Sequence, residues 1–294
     1  MKHKRVLFLV PALFLGVSEL SLRLGGTVDF PIFDANNVVG YVPAPSQSGS
    51  FLNRNDWAIN DRSMGTAQPW HDGPDDVLLV GDSIVWCGNS CASGDRLGPR
   101  VQAALEGTGK TVWPISAGSW AVVNEANWLE ANRDVLEAAE TLVFVFNSAD
   151  FGDPSSWANP LTHPRAHPVS ALAYLIERTL IQPDPDPTPP ELQVPPRDPV
   201  AALTEVVRAC DCDVHVWLYP TRDELSEADP GASALETGFA PFAQALGERI
   251  TLHHVAQIPD WGPALYRDHI HPTAQGTARL AAAIAASLRA PATR

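Results

Sequence analysis

Residues 77–89 read VLLVGDSIVWCGN, and this stretch decides how the rest of the chain is interpreted. Four apolar residues are followed at once by Gly81, Asp82 and Ser83. Glycine, aspartate and serine often end a strand, so an ordinary turn is one interpretation. The other is a serine held at the carboxyl end of a parallel strand, where α/β folds place their chemistry. A base, an acid and oxyanion donors elsewhere in the chain would favour the second.

Strands and helices alternate on the C-terminal side of this stretch. After the strand at 77–80, apolar runs predict strands at 111–115, 142–146, 214–218 and 250–255. Helical spacing predicts helices at 96–105, 124–139, 168–180, 200–209, 234–246 and 273–288. Such alternation implies a mainly parallel sheet with helices on both faces. We therefore predict an α/β fold, a three-layer sandwich with a five-stranded mainly parallel sheet, over residues 76–294.

Two polar segments interrupt or precede this pattern. Residues 25–75 are rich in Asn, Pro, Gly, Ser and Asp without a sustained period, which predicts an extended lead-in that wraps the domain. Residues 182–199 contain eight prolines, which exclude a helix or an inner strand. This segment is predicted to be a polyproline-II-like surface insertion, with a lid or partner-docking segment as the alternative.

Residues 1–24 have the pattern of an export signal. A basic start is followed by twelve apolar or small residues at 6–17. Twelve helical residues cover about 18 Å, short of a bilayer core of about 30 Å. A basic region before a short apolar region predicts export, with Gly-Val-Ser at 16–18 as a cleavage site. The alternatives are an uncleaved membrane anchor reaching Leu24 and a buried first helix, and the predicted location is the periplasm or cell envelope.

Charge and cysteine content narrow the class of protein. The 294 residues carry a formal net charge of −14 and only three lysines, a surface that repels nucleic-acid phosphates. Four cysteines fit an oxidising compartment and form two close pairs, Cys87 with Cys91 and Cys210 with Cys212. Three connectivities are possible and local pairing is the simplest; four free thiols are the alternative. Their spacings do not match the usual zinc knuckles, and no metal is predicted.

A second candidate block, YRDHIHP at 266–272, precedes the last predicted helix. A serine hydroxyl is a poor nucleophile until an adjacent base activates it, and histidine suits that role. A carboxylate can hold the histidine tautomer and stabilise the imidazolium. Asp268 and His271 would supply both groups from one loop. Alone they would be interpreted as a turn aspartate and a surface histidine, but with Ser83 they predict a Ser-His-Asp triad.

The order of these blocks resembles the SGNH/GDSL hydrolase family, in an exported bacterial-type form. The resemblance covers about residues 76–290 and rests on Gly81-Asp82-Ser83, on Gly118 after the second strand and on the Asp268/His271 block. It implies an SGNH-hydrolase-like (flavodoxin-like) fold with Ser83 as nucleophile, His271 as base and Asp268 as acid. The backbone N–H groups of Ser83 and Gly118 would form the oxyanion hole.

One block departs from the family, which has G-x-N-D after the third strand. Here the residues are Asn147, Ser148, Ala149 and Asp150, so that alanine stands at the asparagine position. Asn147 is the predicted third oxyanion donor by a different path; Ser148, or no donor from this loop, are the alternatives. Losing one such donor costs on the order of a hundred- to a thousandfold in turnover.

These features predict an exported serine esterase that hydrolyses or transfers short acyl groups, chiefly O-acetyl, on cell-envelope glycans. Trp86, Trp120 and Trp157 each follow one of the blocks and are predicted to stack on sugar rings, with ordinary packing as the alternative. His163 and His167 are predicted to lie in a surface loop, with a place in the lining of the cleft as the alternative. No cofactor is predicted, lipid or other small esters are second-choice substrates, and the oligomeric state stays open. The rival is a non-catalytic SGNH-like envelope domain that binds glycan or scaffolds an assembly.

Overall fold

The computed structural model describes residues 2–184, 186–226 and 233–289 of the chain. It begins with helix α1 (Lys2–Leu24) and continues with two antiparallel hairpins. The hairpin strands are β1 (Phe33–Asn36), β2 (Gly40–Pro43), β3 (Gln47–Phe51) and β4 (Asn55–Ile59). Trp57 and Ile59 are buried in the core of the main body. The segment predicted as extended therefore folds into short strands that pack on the domain.

The central sheet has five strands, and every neighbouring pair is parallel. Its spatial order is β6-β5-β7-β8-β9, which is the order of a flavodoxin-like doubly wound sheet. This confirms the predicted fold class. The strands are β5 (Asp76–Gly81), β6 (Thr111–Ser116), β7 (Thr141–Phe146), β8 (Asp213–Leu218) and β9 (Thr251–His254).

Helices cover both faces of this sheet. They are α2 (Ser83–Trp86), α3 (Leu97–Ala104), α4 (Val122–Ala131), α5 (Arg133–Ala138), α7 (Pro199–Ala209), α8 (Ala234–Leu246) and α9 (Ala274–Arg289). Helix α6 (Ala171–Ile176) packs apart from the sheet, against α1 and Phe30. The helix predicted at 124–139 is divided because Asn132, with φ −116° and ψ 55°, leaves the helical region. The helix predicted at 168–180 begins after the capping residue Ser170 and ends in a π turn, Glu177–Ile181.

Alternation of side chains along the strands divides the core into two layers. Leu78 and Val80 of β5 pack on the side of α4, α7 and α8. Val77 and Leu79 of the same strand pack on the other side, against α3 and α9. Because successive side chains of a strand point to opposite faces, a continuous apolar run is what a sheet covered on both faces requires.

The proline-rich segment is attached to the body near its C-terminal end. Residue 185 lies outside the described residues, and beyond it Leu192 and Val194 are buried. Arg197 forms ion pairs with Glu130 of α4 and Glu205 of α7. A short 3-10 turn at Pro190–Leu192 interrupts the predicted polyproline-like course.

Helix α1 is fastened to α6 through one carboxylate. Glu19 accepts hydrogen bonds from the backbone N–H groups of Ala171 and Leu172 and from the Ser170 hydroxyl. These backbone donors hold the pKa of Glu19 at about 2. Within the described residues, no helix combines the length and apolarity needed to cross a membrane.

Candidate active site

Ser83 stands at the point where β5 becomes α2. Gly81 is needed there, because a Cβ atom at this position would lie 2.6 Å from Cγ2 of Val85 in the following helix. Asp82 caps α2 by accepting a hydrogen bond of 2.9 Å from the N–H of Ile84. The sharp strand-to-helix turn makes Ser83 the first residue of α2, at the carboxyl edge of the sheet.

His271 joins Ser83 to Asp268 in a chain of hydrogen bonds. Its Nε2 lies 2.9 Å from Oγ of Ser83, and its Nδ1 lies 2.9 Å from Oδ2 of Asp268. Since a carboxylate only accepts hydrogen bonds, we place the ring proton on Nδ1. This tautomer leaves Nε2 free to accept a hydrogen bond from the serine hydroxyl. The structure therefore brings the three residues of the predicted triad together in the required order.

The Asp268 carboxylate is held as an anion. Partial burial acts to raise its pKa, but the backbone N–H groups of His271 and Ile270, together with the His271 ring, lower the pKa to about 2. The two N–H donors lie 2.7 and 3.0 Å from Oδ1. The same carboxylate thus orients the imidazole and stabilises the turn at 268–271. Both contacts form locally because Asp268 and His271 are only three residues apart.

Ser83, Gly118 and His271 line one cavity of about 480 Å³. Gly118 follows β6, and β6 and β7 are the two neighbours of β5, so their terminal loops flank the serine. The lead-in supplies part of the opposite wall through Phe30, Phe33 and Phe51 of the hairpin region. Sequence analysis did not assign these aromatic residues to the site, since nothing local marks which face of a hairpin meets a distant strand end.

The side chain of Tyr41 holds the loop that carries Gly118. The Tyr41 hydroxyl donates to the Gly118 carbonyl oxygen at 2.7 Å, and burial raises the pKa of Tyr41 to about 12. The phenol therefore stays protonated and remains a donor at neutral pH. This contact holds the loop at the residue whose N–H group is the predicted oxyanion donor, and that role needs a preorganised N–H group.

The three predicted sugar-stacking tryptophans have different surroundings. Trp86 lines the cavity beside the serine, with Arg96 stacked 4.7 Å from its ring. Trp120 is only 1% exposed, and its indole N–H donates to the Tyr41 carbonyl oxygen, so the sugar-binding prediction for Trp120 is wrong. Trp157 lies outside this cavity and lines a neighbouring one of about 520 Å³.

The prediction that Asn147 donates to the oxyanion is also wrong in this structure. Its side-chain Nδ2 donates to Oδ2 of Asp82 at 3.1 Å and to Oδ2 of Asp150 at 2.9 Å. An amide has two N–H donors, and both are used by these buried carboxyl groups. The oxyanion donors that remain from the sequence prediction are the N–H groups of Ser83 and Gly118.

A buried group of three carboxyl side chains lies behind the serine. Burial raises the pKa of Asp82, and burial together with the neighbouring carboxylates raises the pKa values of Glu125 and Asp150 well above their ordinary range. Both carboxyl oxygens of Glu125 are buried without a hydrogen-bond partner among the described residues. The described part of the chain contains no group of His, Cys, Asp or Glu arranged to hold a metal ion.

His163 is part of the cavity wall, contrary to the prediction of a surface loop. Its ring lies 4.1 Å from that of Tyr41 and meets Phe33 edge-on at 4.9 Å. Burial lowers the pKa of His163 to about 4, so that the ring is neutral at pH 7. The sequence position of His163, shortly after the loop that follows β7, indicated that it could reach the cavity. His167 is exposed, as predicted.

The structure pairs all four cysteines locally, Cys87 with Cys91 and Cys210 with Cys212. The first bridge closes the segment directly after α2, on the wall of the cavity. Arg267, next to Asp268, donates to Ser90 Oγ within this segment at 2.7 Å. The loop of the predicted base is thereby connected to the loop that follows the predicted nucleophile.

No family model matches the chain. No curated protein matches it either. Similar solved structures include an α/β hydrolase enzyme from the metagenome of Lake Arreo, Spain, with a TM-score of 0.47 and 14% identity over 74% of this chain and 96% of that one.

Another similar structure is an acetylxylan esterase from Geobacillus stearothermophilus, with a TM-score of 0.45 and 16% identity over 75% of this chain and 96% of that one. A lipolytic G-D-S-L family protein from Veillonella parvula has a TM-score of 0.43 and 14% identity over 73% and 97%. The chain resembles the SGNH/GDSL hydrolases in the order of its sequence blocks.

Proposed function

We propose that this protein is a serine ester hydrolase of the SGNH type. The observation that supports the proposal most directly is the hydrogen-bond chain from Ser83 through His271 to Asp268, which opens into a cavity. An imidazole in contact with a serine hydroxyl, and oriented by an anionic carboxylate, is the arrangement that activates serine for acyl transfer.

The proposed reaction has two steps. Ser83 Oγ attacks the ester carbonyl carbon while His271 Nε2 takes the hydroxyl proton, and the N–H groups of Ser83 and Gly118 stabilise the oxyanion. The carbon–oxygen bond to the alcohol then breaks, and His271 returns the proton to the leaving alcohol. Water repeats the sequence on the acyl-serine and releases the acid. A sugar hydroxyl in place of that water would give acyl transfer with the same residues.

We propose O-acetyl or other short acyl esters of cell-envelope glycans as substrates. The cavity is large enough for a sugar residue, and Trp86 offers an aromatic face beside the serine. Lipid or other small esters are the second choice.

Labelling with a fluorophosphonate probe tests the serine. Wild type is compared with Ser83→Ala, His271→Ala and Ser93→Ala, the last being a serine outside the cavity. Label on the peptide containing Ser83 in wild type and in Ser93→Ala, lost in the other two variants, is expected together with acetyl-ester hydrolysis. Folded wild-type protein that neither labels nor hydrolyses would instead support a non-catalytic glycan-binding domain, a rival favoured by the engagement of Asn147 with carboxyl groups.

Export is proposed from the sequence of the first 24 residues and from the two cysteine pairs. Cleavage after the small residues at 16–18 would leave Glu19, with its contacts to α6, at the start of the mature chain. N-terminal sequencing of protein recovered from separated envelope and cytoplasmic fractions distinguishes a chain beginning at Glu19 from an uncleaved anchor. Recovery in the cytoplasmic fraction with an intact N-terminus would contradict export.

A further inference from the structure

The cavity wall has a charge opposite to that of the protein. The chain has 34 acidic and 20 basic residues, yet no aspartate or glutamate of the described residues lines the cavity. Three arginines do so, Arg54, Arg178 and Arg267. They come from three separate parts of the fold, the β3–β4 turn, the π turn after α6 and the loop of His271. Proximity in sequence therefore does not explain why they meet.

Two of these arginines lack an acidic partner. No carboxylate of a described residue lies within 4.0 Å of the guanidinium of Arg54 or Arg178, whereas Arg62, Arg100 and Arg133 each form an ion pair at the surface. Other arginines also lack an ion pair with a described residue, but Arg54 and Arg178 are the two of this kind that line the cavity of Ser83. Arg54 also makes no side-chain hydrogen bond to a described residue. In a protein with an excess of carboxylates, arginines left unpaired at one cavity have donors available for a ligand.

Arg178 is held in place without being neutralised. Its Nη1 donates to the Tyr174 hydroxyl at 2.6 Å, and its guanidinium lies 5.8 Å from the centre of the Tyr174 ring. Both contacts are with a neutral side chain, so they fix the direction of the guanidinium and preserve its charge. Arg267 differs, since it donates to Ser90 and lies 3.8 Å from Asp268, and it belongs with the triad loop.

A fourth arginine is buried directly behind this wall. Arg96 is 3% exposed, stacks on Trp86 and has two guanidinium nitrogens, Nε and Nη1, without a partner among the described residues. A buried positive charge is screened little by solvent, so its field extends into the adjacent cavity. This is an observation independent of the rim arginines, and it points to the same sign of ligand.

We propose that the ester hydrolysed at Ser83 carries an anionic group, a carboxylate or a phosphate, that is bound by Arg54 and Arg178 at the cavity rim. This inference rests on the proposed function for the reaction but concerns the substrate class. Guanidinium groups bind both oxyanions through paired, charge-assisted hydrogen bonds. Phe51 and Trp86 also line this cavity, and aromatic side chains suit the carbon faces of a sugar that bears the charged group.

The test uses three matched substrates, the 3-O-acetyl esters of methyl glucoside, methyl glucuronide and methyl glucoside 6-phosphate. Acetate release gives kcat/KM for each, and the ratio of charged to neutral substrate is compared between variants. Arg54→Gln and Arg178→Gln are each expected to lower this ratio by about tenfold, the size of one charge-assisted hydrogen bond. Arg133→Gln, at a surface ion pair on α5, is the matched control and should leave the ratio unchanged.

Binding of the same three compounds to the Ser83→Ala variant separates this inference from the proposed function. Tighter binding of a charged compound, weakened by adding Arg54→Gln, supports the anion site even if wild type hydrolyses none of them. The uronate and the phosphate distinguish the two sources of charge. Equal binding and equal kcat/KM for charged and neutral compounds would overturn the inference. Arginine variants that leave the ratio of charged to neutral substrate unchanged would overturn it as well. In both cases acetate release would still support the proposed esterase.

Discussion

His271 Nε2 lies 2.9 Å from Ser83 Oγ across a sequence separation of 188 residues. The contact is possible because Ser83 follows the carboxyl end of the inner strand β5, while His271 lies three residues before α9. Helix α9 packs on the face of the sheet to which Val77 and Leu79 of β5 point. Proton transfer needs a distance of this size, and the tautomer that permits it is set by the contact between Nδ1 and Asp268. Each element of the proposed mechanism therefore depends on a separate, testable contact.

Replacing Asp268 with asparagine is expected to lower turnover on the order of a thousand- to ten-thousandfold. An amide can donate to Nδ1, which would move the imidazole proton to Nε2 and remove the base. Since the pKa of Asp268 is about 2, the carboxylate is ionised above pH 4, and its protonation does not set the acid limb of a pH profile measured from pH 4 to 9.

The measurement is kcat/KM for an acetyl ester, with circular dichroism to verify folding. Asp260→Asn is the control, because Asp260 is an exposed residue paired with Arg279 away from the cavity. An Asp268→Asn variant that keeps more than a tenth of wild-type turnover would contradict the orienting role.

Replacing Asn147 with alanine is expected to lower the free energy of unfolding by about 3 kcal/mol, because two buried carboxyl groups lose their donor. Denaturant unfolding measures this value. Asn127→Ala removes a surface hydrogen bond to the Val38 carbonyl oxygen and one from the Arg197 guanidinium, and should cost less, about 2 kcal/mol. Unchanged stability with turnover lowered a hundredfold or more would return Asn147 to the oxyanion hole.

Replacing Glu125 with glutamine is expected to stabilise the protein increasingly as the pH rises. Burial raises the folded-state pKa of Glu125 above the unfolded value of 4.5, so the folded state binds the proton more tightly. The contribution of Glu125 to stability is therefore fully present below pH 4.5 and is lost as the pH rises towards the folded-state pKa. The slope is at most about 1.4 kcal/mol per pH unit.

Denaturant unfolding of wild type and Glu125→Gln at pH 5, 6 and 7 gives the free energy of unfolding of each protein and the difference between them. Glu137→Gln on α5 is the control, since Glu137 is exposed and paired with Arg133. If the difference in unfolding free energy between Glu125→Gln and wild type stays constant or narrows with rising pH, the pKa of Glu125 is not raised.

Replacing Glu19 with alanine is expected to speed backbone amide exchange at Ala171 and Leu172, whose N–H groups donate to this carboxylate. The pKa of Glu19 is lowered to about 2, so its contribution is present above pH 4.5 and lost as the pH falls through 2. Hydrogen exchange measured by mass spectrometry over residues 168–181 gives the effect. Glu177→Ala changes an exposed residue of the same segment and should leave the exchange rates of these two amides unchanged. Equal exchange rates in all three proteins would show that Glu19 does not hold the N-terminus of α6.

The sequence by itself predicted the strands, most of the helices and the Asp268/His271 block. Apolar runs such as the one ending at Val80 are set by burial on both faces of the sheet, which is a local composition signal. The contacts within the Asp268 loop are also local, because a carboxylate three residues before a histidine reaches its backbone N–H and its ring. Family resemblance then paired this loop with Ser83.

Only the tertiary structure decided which donors and aromatic faces are available. Asn147 and Trp120 have the residue types that the site needs, but their N–H groups are used by Asp82, Asp150 and Tyr41. His163 and the unpaired arginines reach the cavity from loops far apart in the chain. Direction and hydrogen-bond occupancy of a side chain depend on partners brought together by folding, and no local pattern in the sequence encodes them.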